Sequence, residues 1–98
     1  MARADEIDEI IHQRTRLAIM SHLAVLGETD FLTLKNTLGL SDGNISVHSS
    51  ILEKSGYIVS EKFFVGKKPK TVYRITAAGR KAFVEYVSHL EEILKGVR

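Results

Sequence analysis

Apolar residues recur along this chain with two periods, a helical one as far as about Gly56 and again from Thr76, and an alternating one between them. Ile7, Ile10 and Ile11, set among Asp5, Glu6, Asp8 and Glu9, predict a short amphipathic helix over residues 4–11. Thr15 is the predicted N-cap of a second helix running to about Leu26, with Ile19, Met20, Leu23 and Leu26 as its core stripe and Gly27 as its stop. Asp30 opens a third, barely two turns long, with Phe31, Leu34 and Leu38 inward and Gly39 at its end. After only Leu40, Ser41 caps a fourth. Two short helices joined by so tight a turn predict a helix-turn-helix over residues 30–56.

The helix opened by Ser41 has two unlike faces. Ile45, Ser49, Leu52 and Gly56 fall together, flanked by His48, whereas Gly43, Ser46, Val47, Ser50 and Lys54 fall opposite. A merely solvated face would carry long straight side chains such as Glu, Lys and Gln. A face of Gly, Ser and Val can instead press against a broad surface such as the major groove of DNA, with short hydroxyls reaching the base edges. The plainer reading is a packed helix whose serines cap and bond back to their own backbone.

From Tyr57 the pattern alternates, Tyr57, Val59 and Glu61 against Ile58, Ser60 and Lys62, followed by Phe63, Phe64 and Val65. A second β-rich run, Thr71 to Ile75, follows the segment Gly66-Lys67-Lys68-Pro69-Lys70, so a hairpin is predicted over residues 57–75. Three lysines in four positions at a hairpin tip repel one another, which favours a phosphate partner over a purely structural turn. Thr76 then caps a final helix over 76–97. Its apolar stripe of Gly79, Phe83, Tyr86, Val87, Leu90, Leu94 and Val97 is longer than so small a core can bury. The far half of that stripe is expected to meet a second copy, or to fold back on Ile7, Ile10 and Ile11.

Composition narrows the classes. The 98 residues, 44% hydrophobic and 27% charged, suit one globular domain spanning 1–98, α+β in class and mainly α. No apolar run long enough to span a bilayer and no signal-peptide pattern is present, so a cytosolic protein is expected. The absence of cysteine excludes disulfides, thiolate nucleophiles and Cys-based metal sites. A net charge of +2 conceals an asymmetry: residues 1–61 hold five basic and nine acidic side chains, residues 62–98 nine basic and three acidic. Lys62, Lys67, Lys68, Lys70, Arg74, Arg80 and Lys81 occur with no acid between them, the footprint of a polyanion site or of a solvated charge run.

Taken in order, these pieces resemble the short winged-helix transcription regulators of the MarR/ArsR-like type. The resemblance covers nearly the full length. It rests on Ile11-His12 with Arg16-Leu17-Ala18-Ile19-Met20, Asp30-Phe31 with Leu34-Lys35, and Leu38-Gly39-Leu40. Further along it rests on Asp42-Gly43-Asn44 with Ser46 and His48, Leu52-Glu53 with Gly56-Tyr57, Gly66 through Thr71 with Tyr73-Arg74-Ile75-Thr76, and Gly79-Arg80 with Ala82-Phe83. It implies N-terminal helices over 4–26, a recognition helix from about Asp42, a two-stranded lysine wing, and a homodimer formed through the terminal helices. Ser49 departs from the family pattern, in which a leucine usually follows the histidine. Because the position faces inward, a bond from its hydroxyl to the Ile45 carbonyl or a looser packing is expected.

The candidate DNA contacts are therefore Lys35, Ser41, Asp42, Asn44, Ser46, Val47, Ser50, Lys54, Lys67, Lys68, Lys70 and Arg74. Asn44 can read adenine bidentately, Val47 suits a thymine methyl, and the lysines suit phosphates. The candidate dimer contacts are Ile7, Ile10, Ile11, Phe83, Tyr86, Val87, Leu90 and Leu94. His89 and Glu92 have the spacing of half a helical zinc site, but the Asp-x-His half that such a site resembles is absent; a surface histidine beside Glu85 is the simpler expectation. Neither a catalytic constellation nor a phosphate-cradling glycine motif appears, so no enzyme activity and no cofactor are expected, and no pattern specifies a small-molecule effector. The rival function is a winged helix that docks a protein partner within a larger assembly.

Overall fold

Four side chains start the four helices. In the computed structural model, which describes residues 3–97, Gln13 Oε1 accepts hydrogen bonds from the Thr15 and Arg16 amides and opens α1 (Arg14–Leu26). Asp30 accepts from Thr33 N and opens α2 (Phe31–Leu38), Ser41 from Asn44 N and opens α3 (Asp42–Lys54), and Thr76 from Gly79 N and opens α4 (Ala77–Leu94). Each cap satisfies amides that the first turn leaves without partners. The expected cap of α1, Thr15, lies inside the helix and is buried; the helix starts two residues earlier than expected, and the Gln13 side chain caps it through the Thr15 and Arg16 amides.

Further expectations are corrected. Residues 4–11 form no α-helix: a 3-10 turn, Ala4–Glu6, ends at the extended Ile7, and the Asp8 carboxylate then accepts from Ile10 N and Ile11 N. A carboxylate in mid-segment has offered the backbone an alternative to helix. As a result Ile11 drops into the core while Ile7 and Ile10 pack on its edge. In the last turn of α1, Leu26 is 57% exposed although Ile19, Met20 and Leu23 are fully buried, so the inward stripe of this helix ends at Leu23. Finally, α3 stops at Lys54 and α4 at Leu94, leaving Gly56 and Val97 outside them.

The sheet has a third strand that periodicity did not reveal. β1 (Glu28–Asp30) pairs antiparallel with β3 (Lys68–Ile75), which pairs antiparallel with β2 (Ile58–Val65), giving the order β1-β3-β2. Glu28 lies opposite Arg74, Thr29 opposite Tyr73 and Asp30 opposite Val72. The β2–β3 turn contains only Gly66 and Lys67, so Lys68, Pro69 and Lys70 belong to the strand rather than to the loop. Gly66 has φ 65°, and glycine with positive φ at the first of two turn residues is the choice whose twist matches the flanking strands. Pro69 is tolerated because β1 pairs only with the other end of β3.

The core lies where α1, α2, α3, the base of the sheet and the first half of α4 converge, around Ile11, Ile19, Leu23, Leu34, Ile45, Leu52, Ile58 and Tyr86. Thr76 fixes the start of α4 by donating its hydroxyl to the Gly56 and Tyr57 carbonyls. Gly79 lets the helix settle there: a Cβ at this position would lie 2.0 Å from the Tyr57 carbonyl oxygen. Among the described residues, no helix is long and apolar enough to cross a membrane.

Candidate nucleic-acid interface

The α3 helix is held from behind and left open in front. Ile45, Ser49 and Leu52 are buried beneath it. At its flank, Arg16 of α1 donates to His48 Nδ1 at 2.9 Å and, through Nε, to the Ile10 carbonyl. Burial, and then the Arg16 charge, hold the His48 imidazole below its ordinary pKa, so it stands neutral as the acceptor. Ser49 bonds back to the Ser46 carbonyl at 3.4 Å, one residue short of the expected Ile45. Ser41, Asp42, Gly43, Asn44, Ser46 and Lys54 are exposed on the other side, with Ser50 half-buried and Val47 57% exposed.

The hairpin stands beside this open face. Residues directly opposite in an antiparallel pair share a face, and the face alternates along the strand. Ser60 and Tyr73, then Lys62 and Thr71, therefore face the same way, and they line a groove of about 200 Å³ with Ser46, Ser49, Ser50 and Glu53 of α3. Burial pushes the Tyr73 hydroxyl pKa up, so at the groove floor it remains a neutral donor and acceptor. The groove is rich in hydroxyls, with one lysine and one carboxylate.

The continuous basic run of the sequence is divided in space. Arg74 bonds Glu28 at 3.0 Å and Glu61 at 3.1 Å, and those carboxylates, Glu61 foremost, raise its pKa further. Arg80 donates to the Ala24 carbonyl, and Lys70 lies 3.6 Å from Asp30. Lys35 meets Asp42 at 2.6 Å across the turn between α2 and α3. Lys54, Lys62, Lys67 and Lys68 have no ion-pair partner among the described residues. Lys62 is outside the candidate set, although the alternation Ile58, Ser60, Lys62 already placed it on the groove side.

A profile of the winged helix DNA-binding domain matches residues 15–94. The chain belongs to that family. This winged helix is 32% identical over 89 residues to an uncharacterized protein of Methanocaldococcus jannaschii, an alignment covering 91% of this chain and 97% of the relative. Among solved structures it is similar to a transcriptional regulator homologue from Pyrococcus horikoshii OT3, with TM-score 0.84 and 28% identity over 92% of this chain and 89% of that one. It also resembles a transcriptional regulator from Clostridium thermocellum, with TM-score 0.69 and 22% identity over 92% and 95% of the two chains, a likeness of fold alone.

The candidate dimer residues are divided in the same manner. Ile11 and Tyr86 are closed within the winged helix's own core, where Tyr86 Oη lies 2.8 Å from His12 Nδ1, so neither is free to meet a second copy. The α4 stripe folds back on the N-terminal segment as far as Leu90, and Phe83, Leu90, Ile7 and Ile10 are left half-buried. Val87 and Leu94 are exposed, as are Ile93 and Val84, which fell outside the predicted stripe. His89 faces Glu6, at 3.9 Å, rather than Glu85. No group of three or more His, Asp or Glu side chains able to hold a metal ion occurs among the described residues.

Proposed function

We propose that this winged helix is a cytosolic, homodimeric transcriptional regulator that binds double-stranded DNA in a sequence-specific manner. In this reading α3 enters the major groove and the lysine wing lies along the backbone or in the minor groove. The observation that carries it is the shared groove: the small-residue face of α3 and the wing's Lys62 side border one space, with Lys67 and Lys68 beyond it and without ion-pair partners among the described residues. In this reading the first-turn amides of α3 meet a phosphate, Asn44 reads a base edge, Val47 meets a thymine methyl, and Ser46 and Ser50 contact base or phosphate. Lys54, Lys67 and Lys68 supply the charge. Lys35, Lys70 and Arg74 contribute less, because each already faces a carboxylate. The function is binding without chemistry.

The dimer forms through the exposed outer half of α4, with Val87, Leu94 and the half-buried Ile7, Ile10, Phe83 and Leu90 in the interface. It sets two α3 helices about one turn of DNA apart on a pseudo-palindromic site.

The test is selection of bound duplexes from a random pool, followed by anisotropy titrations on the selected and a scrambled duplex at two salt concentrations, with sedimentation velocity for the oligomeric state. Salt-sensitive affinity and a preference for the selected sequence are expected. Asn44→Ala should narrow that preference at one position by about 1–3 kcal/mol; equal losses on both duplexes would remove Asn44 from base reading. Weak, salt-insensitive DNA affinity would favour the protein-docking alternative.

A further inference from the structure

We infer that Phe64, with Pro69 opposite it, is an apolar wedge that the wing inserts at a base-pair step of the minor groove, bending the duplex that α3 holds. The inference rests on the DNA-binding reading above and adds to it a contact that carries no charge.

The register places the wedge. Four cross-strand pairs share one face of the hairpin: Ile58 with Ile75, Ser60 with Tyr73, Lys62 with Thr71, and Phe64 with Pro69. The first pair joins the core, and the second and third line the groove against α3. The fourth continues the same face about 7 Å further toward the tip, two residues at strand rise. Phe64 therefore stands on the side of the wing that looks toward the recognition helix. It is 72% exposed, whereas Phe63, on the opposite face across from Lys70, is 39% exposed.

Single exposed apolar side chains are ordinary. Here the surroundings select an occupant. Lys62 on the same face and Lys67 in the adjoining turn flank the Phe64–Pro69 pair, with Lys68 at the tip on the opposite face; none of the three has an ion-pair partner among the described residues, and no carboxylate occurs in the sequence between Glu61 and Glu85. A surface apolar at its centre and cationic at its rim matches the minor groove, where a base-pair step lies between two lines of phosphates. Phe and Pro are among the side chains that part such steps and kink the duplex. A second copy of this chain would bring its own wing lysines against these, so like charges oppose that occupant.

The experiment uses the full chain and a duplex selected from the random pool. Bending is read by end-to-end energy transfer, unstacking by 2-aminopurine placed at successive steps under the wing, and affinity as a function of salt. The expected result is a bent duplex with one unstacked step for the unaltered chain. Phe64→Ala should straighten the duplex, quench the 2-aminopurine signal and weaken binding about tenfold, within the range that aromatic contacts to bases give. Because no charge is lost, the slope of log affinity against log salt should not change. Phe64→Leu should restore part of the bend, and Phe63→Ala should behave as the unaltered chain. Unchanged bend and affinity in Phe64→Ala would overturn the wedge while leaving DNA binding intact. A reduced salt slope would overturn it as well, by showing that Phe64 only positions the lysines, and so would a change of oligomeric state without DNA. A chain that binds no duplex at all removes the DNA-binding reading and the wedge together.

Discussion

The base and the tip of the hairpin both carry basic residues, Arg74 at the base and Lys67 and Lys68 at the tip, but their surroundings are opposite. At the base, Arg74 is clamped between Glu28 of β1 and Glu61 of β2, while Ile58 and Tyr73 are sealed into the core. At the tip, Lys67, Lys68, Phe64 and Val65 stand exposed, with no carboxylate nearby in the chain. One end of the hairpin is consumed in holding the fold and the other is left to meet something else. Charge in a sequence is therefore a poor guide to charge available for binding: what counts is which cations the sheet has already matched with acids.

The most forceful test of this contrast is stability. Ile58 and Phe64 lie on one face of one strand, three pairs apart in register. Ile58→Ala should cost about 2–5 kcal/mol, the loss of a fully buried aliphatic side chain together with the cavity it leaves. Phe64→Ala should stay within about 0.5 kcal/mol, as surface changes do. Chemical denaturation of both variants decides this, and comparable losses would mean that the tip is part of the core after all.

Salt dependence sharpens the contrast on the binding side. Lys67→Ala and Lys68→Ala should each lower the slope of log affinity against log salt by about one, without favouring any sequence. Arg74→Ala should leave it unchanged, since its guanidinium is already occupied, and Lys70→Ala should fall between because Asp30 shares its charge. Equal slopes for Arg74→Ala and Lys67→Ala would dissolve the distinction between base and tip.

Much of this was legible in the residues. The caps Asp30, Ser41 and Thr76, the inward set Ile45, Ser49 and Leu52, and the hairpin itself follow from spacing and side-chain chemistry. What escaped depends on partners distant along the chain. β1 is three residues, Glu28-Thr29-Asp30, too short and polar to show a period, and only β3 makes it a strand. The clamp on Arg74 comes from positions 46 and 13 residues away, invisible in a linear charge run. Ile7, Ile10 and Ile11 have helical spacing, but Asp8 spends its carboxylate on capping a local turn and on accepting the Tyr57 hydroxyl. Ile11 and Tyr86 looked like an outer stripe because periodicity reports a buried face without saying whether its own chain or a second one covers it.

The smallest expected effect lies where base and tip meet. Asp30 caps α2 through Thr33 and faces Lys70, and these contacts, the Thr33 bonds first, hold its pKa below the ordinary carboxylate value despite partial burial. A carboxyl with a lower pKa folded than unfolded binds fewer protons when folded. Its contribution is then complete above the unfolded value of about 3.9 and is lost as pH falls through the folded one. Asp30→Ala should cost about 1 kcal/mol near neutral pH, the typical worth of an N-cap. Asp30→Asn keeps an oxygen for the Thr33 amide and should retain most of that stability while removing this carboxyl's share of the acid dependence. Denaturation midpoints for the two variants at neutral pH and between about pH 4 and pH 2 would separate the contributions. If Asp30→Asn lost as much at neutral pH as Asp30→Ala, the negative charge it presents to Lys70 rather than the cap would be what Asp30 supplies, and the lysine it faces would belong to the base of the hairpin.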